Sequence, residues 1–93
     1  MRIRYKDSFV RRFESQLEFI ARDKPSAARK FRKDLLARIK EIPDNPFLYR
    51  KSVYFDDDNI RGLIFKGYTI VFLINDDCID VFGFVKYQSK AVD

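Results

Sequence analysis

The sequence predicts an α+β fold: an N-terminal strand, a two-helix antiparallel hairpin, and then a three- to four-stranded antiparallel sheet. Three observations support it. Apolar residues recur at helical spacing over residues 8–42, Pro43 and Pro46 end that pattern, and strand-like apolar segments alternate with polar turns after them. A length of 93 residues suits one domain. We assign residues 1–88 to this domain and residues 89–93 to a C-terminal tail.

The first elements are a short strand and an amphipathic helix. Ile3 and Tyr5 alternate with basic residues, which predicts a strand over residues 2–6. Asp7 and Ser8 are residue types that cap helix N-termini, and we expect one of them to do so here. A helix over residues 8–22 follows, and its apolar face comprises Phe9, Phe13, Leu17 and Ile20.

The second helix is predicted to begin near Pro25 and to end at Ile42. Proline suits the first turn of a helix, where its missing N–H is not needed. The apolar stripe of this helix comprises Ala28, Phe31, Leu35, Ile39 and Ile42. Pro43 and Pro46 prevent the helix from continuing. Because the connection between the two helices is short, we expect them to pack antiparallel as a hairpin.

The remaining chain has the pattern of an antiparallel meander. Residues 50–55 suggest a weak strand, and strands are predicted over residues 60–66, 68–74 and 78–87. Polar turns at 56–59 and 75–77, and Gly67, separate them. Residues 68–74 are almost continuously apolar, which is typical of a central strand covered on both faces.

The composition excludes several kinds of chemistry. The sequence has no histidine and a single cysteine, Cys78, so Ser-His or Cys-His nucleophiles, intramolecular disulfides and cysteine metal clusters are excluded. We expect Cys78 to be a small buried hydrophobic residue, and we expect no metal and no cofactor. No apolar segment approaches the ~20 residues that span a membrane. A signal-peptide pattern is also absent, so we expect a cytoplasmic protein without membrane contact.

The positive charge is concentrated in the helical half. The chain has a formal net charge of +5. Residues 1–50 carry 14 basic and 7 acidic side chains, whereas residues 51–93 carry 5 basic and 7 acidic ones. This asymmetry suits a nucleic acid or an acidic protein partner. A solvated helix surface that only keeps the protein soluble is the alternative.

Several segments, in order, carry a family resemblance. Residues 19–31, Phe-Ile-Ala-Arg-Asp-Lys-Pro-Ser-Ala-Ala-Arg-Lys-Phe, resemble the helix–turn–helix segment of ParE-type toxins. Residues 42–46, Ile-Pro-Asp-Asn-Pro, with Arg50 after them, are similar to the proline-rich exit of that segment. Residues 59–63, 67–72 and 79–84 resemble the family's strands. Over about residues 1–88 the chain therefore resembles the RelE/ParE superfamily of toxins.

The resemblance implies a bacterial type II toxin that a cognate antitoxin neutralises within a hetero-oligomer. Within the superfamily, ParE-like members inhibit DNA gyrase, and RelE-like members cleave mRNA on the ribosome. Thr69 stands where the RelE pattern carries an arginine, and the basic excess lies in the long hairpin. Both features favour a ParE-like gyrase inhibitor that is not an enzyme. A RelE-like mRNA endonuclease, or an inactive interaction module with the same fold, are the alternatives.

These hypotheses about function predict different site residues. The target-binding candidates are Arg11, Arg12, Arg50, Lys51, Arg61 and Lys66. If the protein is RelE-like, the catalytic candidates are Arg61, Lys86 and Tyr87. Adjacent strand residues point to opposite faces, so Lys86 and Tyr87 act together only if the strand is irregular there.

Two further expectations concern Arg61 and the antitoxin. Arg61 could instead form a salt bridge with the 56–58 turn or with Asp80. A free sheet edge or a groove can accept a partner strand or an amphipathic helix. The aromatic candidates for antitoxin binding are Phe47, Tyr49, Tyr54 and Phe55, with core packing as the alternative for each.

Overall fold

A computed structural model describes residues 1–86. Tyr87 and the predicted tail at residues 89–93 lie outside the described residues. The elements in chain order are β1 (Arg2–Tyr5), α1 (Asp7–Asp23), α2 (Pro25–Lys40), β2 (Arg50–Lys51), β3 (Ile60–Phe65), β4 (Tyr68–Ile74) and β5 (Cys78–Lys86). Two short 3₁₀ turns, Ile42–Asp44 and Pro46–Leu48, connect α2 to β2. Neither α1 nor α2 combines the length and apolarity that a membrane crossing requires, and they are the only α-helices within residues 1–86.

The five strands form one sheet in the order β1-β5-β4-β3-β2. Strands β2 to β5 are antiparallel neighbours, so the predicted meander is confirmed. β1 adds to it by pairing parallel with β5, with Ile3 opposite Ile79, and the sheet is therefore mixed. A parallel pair needs a long crossover, and the helical hairpin between β1 and the meander supplies it.

The hairpin predicted from the sequence is present, and it covers one face of the sheet. Both helices bury their apolar stripes there, Phe9, Phe13 and Leu17 from α1 and Ala28, Phe31, Leu35 and Ile39 from α2. α2 ends at Lys40, two residues earlier than predicted, because Pro43 disfavours helical backbone at the residue before it. Ile42 remains completely buried in the following 3₁₀ turn.

The start of α1 differs from the prediction. Lys6 occupies the N-cap position and its side chain forms no cap hydrogen bond, while Asp7 is the first helical residue. An acidic side chain in the first turn is favoured by the helix dipole. The Ser8 hydroxyl donates to the Phe82 carbonyl oxygen at 2.6 Å. Ser8 therefore attaches α1 to β5 instead of capping the helix.

The face of the sheet away from the helices, here called the outer face, is partly covered by the loop at residues 52–59. The predicted strand over residues 50–55 is reduced to Arg50–Lys51, because only these two residues pair with β3. Further along the loop, the Phe55 ring packs edge-on against Phe82, with 5.7 Å between ring centroids. Val71, which belongs to the central strand β4, is only 2% exposed on this side.

A cluster of aromatic rings joins the hairpin to the sheet. Phe84 of β5 lies 5.8 Å from Phe13 of α1, measured between ring centroids, and stacks on Tyr68 of β4 at 4.9 Å. Phe31 of α2 contacts Tyr68 and Phe65 edge-on, at 5.5 and 5.4 Å. Edge-on and offset ring pairs are favoured geometries, each worth about 0.5–1.5 kcal/mol beyond the area buried. The cluster fixes where both helices lie on the sheet.

The close approach of β4 and β5 on the outer face gives a stability prediction. A Cβ atom at Gly83 would lie 2.8 Å from the Val71 Cβ atom, which is too close. We expect Gly83→Ala to lower the free energy of unfolding by about 1–3 kcal/mol, because overpacking forces strain on its neighbours. Urea denaturation measures this change. Gly62→Ala is a milder control, since its nearest neighbour is the Thr69 methyl group at 3.1 Å.

A double-mutant cycle with Val71→Gly tests the stated cause. Removing the valine Cβ atom and its methyl groups should recover part of the stability that Gly83→Ala loses, so the two changes should be less costly together than their sum. Additive losses, within about 0.5 kcal/mol, would show that the contact with Val71 is not the cause.

Candidate functional site

Helix α1 and the adjoining ends of β4 and β5 border an open cleft of about 550 Å³, here called the basic cleft. Arg11 and Arg12 of α1 line it, together with Tyr68 and Lys86 of the sheet. Tyr68 and Lys86 are directly opposed in the β4–β5 pair and therefore share a face. The packing of Phe84 against α1 brings the two arginines beside them.

The basic cleft is rich in positive charge and hydrogen-bond donors. Within residues 1–86, Arg11, Arg12 and Lys86 form no ion pair with a carboxylate. Among the residues that the structure describes, no acidic side chain lines the cleft. Burial raises the pKa of Tyr68 above its usual value near 10, so its hydroxyl stays protonated at neutral pH. The cleft can therefore receive an oxyanion, but the described residues lining it offer no general base near neutral pH.

The structure brings together residues that the sequence assigned to different roles. Arg11 and Arg12 were target-binding candidates, and Lys86 was a catalytic candidate. Tyr68 was not singled out. Its place opposite Lys86 depends on the register of the β4–β5 pair, which the alternating pattern alone does not determine.

Arg61 has a structural role that the sequence did not predict. Its guanidinium donates to three backbone carbonyl oxygens, those of Asp58 at 2.8 Å, Tyr49 at 2.9 Å and Phe47 at 3.2 Å. It also lies 5.1 Å from the centre of the Phe47 ring. Arg61 thus fastens the segment before β2 and the turn before β3 to the sheet.

The expected salt bridge of Arg61 does not form within the described residues. Arg61 contacts the turn through the Asp58 carbonyl oxygen, while Lys51 pairs with the Asp58 carboxylate at 2.7 Å. Asp80 pairs instead with Arg4, also at 2.7 Å. Every residue has a backbone carbonyl oxygen, so the sequence does not show which of them accepts a hydrogen bond from Arg61. The pattern of charges therefore predicted a salt bridge with a carboxylate instead.

The catalytic candidates do not converge within residues 1–86. Arg61 lies opposite Phe72, and Lys86 lies opposite Tyr68. These positions are four residues apart along β4, or about 13 Å at the usual rise per residue of a strand. Tyr87 lies outside the described residues.

The other target-binding candidates lie away from the basic cleft. Arg50 and Lys51 form the edge strand β2, where Arg50 is exposed. The hydrogen bond between Lys51 and Asp58 raises the pKa of Lys51 and lowers that of Asp58. Lys66 lies in the β3–β4 turn with a positive φ of 48°, and its ammonium group is 5.6 Å from the Phe65 ring centre.

The four aromatic candidates do not form one surface. Tyr49 is half-buried and packs edge-on against Phe72 at 5.6 Å, so core packing explains it. Phe47 covers the Arg61 guanidinium on the same side. Phe55 packs against Phe82 of the sheet, and Tyr54 beside it lines a groove at strands β2 to β4.

The outer face carries an apolar groove of about 230 Å³. Its exposed apolar residues are Val53, Tyr54 and Ile64, here called the outer-face patch, and their exposed fractions are 82%, 56% and 45%. Arg50 and Lys51 line the same groove. Val53 and Ile64 were not among the binding residues predicted from the sequence. The alternation of Ile64 with the buried Leu63 and Phe65 was the available signal.

Asp80 is the buried charged residue at the β1–β5 junction. It is 7% exposed, accepts two hydrogen bonds from Arg4 and accepts others from Asn75 and Cys78. The hydrogen bond from Arg4 is the main reason that the pKa of Asp80 lies below its ordinary value. Burial raises the pKa of the Cys78 thiol, so this buried residue is protonated and poorly reactive, as expected of a small hydrophobic residue. Residues 1–86 contain no group of three or more side chains suited to a metal ion.

Comparisons with known proteins give a family match and a match in fold. The family described as "ParE toxin of type II toxin-antitoxin system, parDE" matches residues 3–91. A solved structure described as "Chromosomal ParDE TA system from P. aeruginosa" has the same fold, with a TM-score of 0.77 at 11% sequence identity. The match covers 95% of this chain and 97% of that chain. No curated protein matches the sequence.

The hydrogen bonds of Arg61 predict that it stabilises the fold. We expect Arg61→Met to lower the free energy of unfolding by about 1–3 kcal/mol, because three carbonyl oxygens lose a charged donor. Arg50→Met, on the neighbouring strand, is the control and should change stability by no more than about 0.5 kcal/mol. Urea denaturation followed by circular dichroism measures both. Wild-type stability in Arg61→Met, together with lost toxicity, would instead identify Arg61 as a target contact.

Proposed function

Because the chain belongs to the ParE toxin family of type II toxin–antitoxin systems, we propose that it inhibits DNA gyrase by binding and that a cognate antitoxin neutralises it. The family match over residues 3–91 is the observation that carries this proposal. According to this proposal, the protein is a cytoplasmic toxin that is not an enzyme, and the antitoxin neutralises it within a toxin–antitoxin hetero-oligomer.

The arrangement of the candidate residues supports binding over RNA cleavage. Cleavage through the 2′-hydroxyl requires a base, a group that neutralises the phosphorane charge and an acid, all within reach of one phosphodiester. Arg61 is occupied with backbone carbonyl oxygens, about 13 Å along the sheet from Lys86. The described part of the basic cleft has cations and a protonated tyrosine, but no group that accepts a proton near pH 7.

The outer-face patch is the surface that best suits the antitoxin. Its apolar residues are exposed, and Gly62 has no side chain to fill the groove. Arg50 and Lys51 at the same groove would attract acidic residues beside the antitoxin's apolar anchors. We therefore place an antitoxin segment there, with apolar side chains in the groove and carboxylates toward β2. In this proposal, two of the four aromatic candidates lie at the antitoxin site: Tyr54 contacts the antitoxin segment and Phe55 lies beside it. Phe47 and Tyr49 instead stabilise the fold through their contacts with Arg61 and Phe72.

The choice of target is tested by two assays on one purified protein. We expect inhibition of gyrase-catalysed supercoiling at micromolar protein or below, and intact mRNA on purified translating ribosomes. Ile64→Lys is the matched control, since its position on the outer-face patch predicts unchanged inhibition. Robust mRNA cleavage without any supercoiling defect would contradict the proposal and favour the endonuclease alternative.

The antitoxin surface is tested with the same variant. We expect Ile64→Lys to weaken antitoxin binding by about 2–4 kcal/mol, because a charge would enter an apolar contact at the centre of the interface. Isothermal titration calorimetry with the cognate antitoxin measures the change. Leu48→Lys places the same charge on another exposed apolar residue, 77% exposed and outside the groove, and should bind normally. An equal loss in both variants would show that the antitoxin binds elsewhere.

A further inference from the structure

We propose that the basic cleft binds the phosphodiester backbone of duplex DNA, with Arg11, Arg12 and Lys86 contacting phosphate oxygens. The inference concerns the cleft's own chemistry and does not depend on gyrase being the target. It assigns one ligand to residues from α1 and from the end of β5, which are more than 70 positions apart in the sequence.

Uncompensated charge is the first observation behind this inference. Within residues 1–86, five cations lie within 4.0 Å of a carboxylate oxygen and the other thirteen do not. Three of those thirteen, Arg11, Arg12 and Lys86, line one concavity. A phosphate group placed among them would relieve the repulsion between like charges.

The hydrogen-bonding groups of the cleft suit the same ligand. Arginine presents a planar fork of donors that matches two oxygens of a phosphate, and lysine contributes a compact charge. The Tyr68 hydroxyl is protonated at neutral pH, and Ser15 lies one helical turn beyond Arg11 with an exposed side chain. A phosphodiester can accept all these hydrogen bonds, because it carries only acceptors.

The burial of the aromatic rings that line the described part of the cleft favours a nucleic acid over an acidic protein segment. Protein interfaces depend on a few anchors that fill apolar pockets. Among residues 1–86, the aromatic residues that line the cleft are Tyr68 and Phe84, and they are stacked on each other with only 8% and 6% exposure. Binding that depends on charge and hydrogen bonds, with little apolar contact, is typical of the phosphate backbone.

The burial of these two rings also favours duplex DNA over a single-stranded nucleic acid as the ligand. Proteins that bind single strands stack bases on exposed aromatic side chains. In the basic cleft the rings are buried against one another, so no base can stack on them. The cleft is also open rather than enclosed, which suits a continuous polymer that passes across it.

The test is fluorescence anisotropy of the full chain with a fluorescein-labelled DNA duplex over a series of salt concentrations. The variant Arg12→Gln/Lys86→Gln removes one cation from each side of the cleft. The matched control Arg29→Gln/Lys33→Gln removes the same charge from exposed positions of α2 that form no ion pair within residues 1–86. Circular dichroism and urea denaturation establish that both variants are folded.

We expect the wild-type protein to bind two unrelated duplex sequences equally and with a strong dependence on salt. In the cleft variant, the slope of log K against log salt concentration should decrease by about 2, because each phosphate contact contributes about 0.9. Affinity at about 0.1 M salt should fall at least tenfold, while the α2 control keeps the wild-type slope.

Three results would overturn the inference. One is an equal loss in both variants, which indicates diffuse attraction by the whole basic surface. Another is tighter binding of single-stranded RNA than of duplex DNA of equal length. The third is displacement of the duplex by poly-glutamate of the same charge, which identifies an acidic protein as the partner.

Supercoiling assays on the same proteins separate this inference from the proposed function. Gyrase inhibition by a wild-type protein that binds no duplex would end the inference and leave the proposed function intact. Duplex binding through the cleft by a protein that does not affect gyrase would support the inference and contradict the proposed function.

Discussion

The packing of Phe84 between helix α1 and strand β4 is the contact on which most of this structure depends. Its ring lies 6.0 Å from Phe9, 5.8 Å from Phe13 and 4.9 Å from Tyr68. Burying one such side chain contributes roughly 1.5–3 kcal/mol, and a small domain has few alternatives for its core. The same contact determines how far α1 lies from the end of β5. The width of the basic cleft is therefore set by the core.

The sequence was sufficient for elements whose pattern is periodic and long. The helix stripes centred on Phe13 and Leu35 and the apolar strand Tyr68–Ile74 are local features, and the structure has them where they were predicted. The partner of β1 was not predictable, because alternation identifies a strand without saying which sheet edge it joins. Hydrogen bonds to carbonyl oxygens were also hidden, so Arg61 was interpreted as an ion-pairing or functional residue.

The candidate sites were predictable as residue types but not as surfaces. Charge counts directed attention to Arg11 and Arg12, yet their meeting with Lys86 depends on how α1 packs across β5. The outer-face patch depends on the path of residues 52–59, which have no regular pattern. The two surfaces lie back to back at the start of β4, where Tyr68 lines the basic cleft and Thr69 lines the outer groove.

The parallel pairing of β1 with β5 also determines the order in which parts of the fold can form during translation. Arg4 and Asp80, which join these strands, are 76 positions apart. At typical elongation rates of about 5–20 residues per second, the partner strand β5 is translated roughly 4–15 s after β1. From the translation of Lys40 until that of β5, the nascent chain contains the residues of its helical hairpin but not those of a completed sheet. The basic cleft, which needs Lys86, is thus among the last features to form, because it is incomplete until synthesis has reached the end of β5.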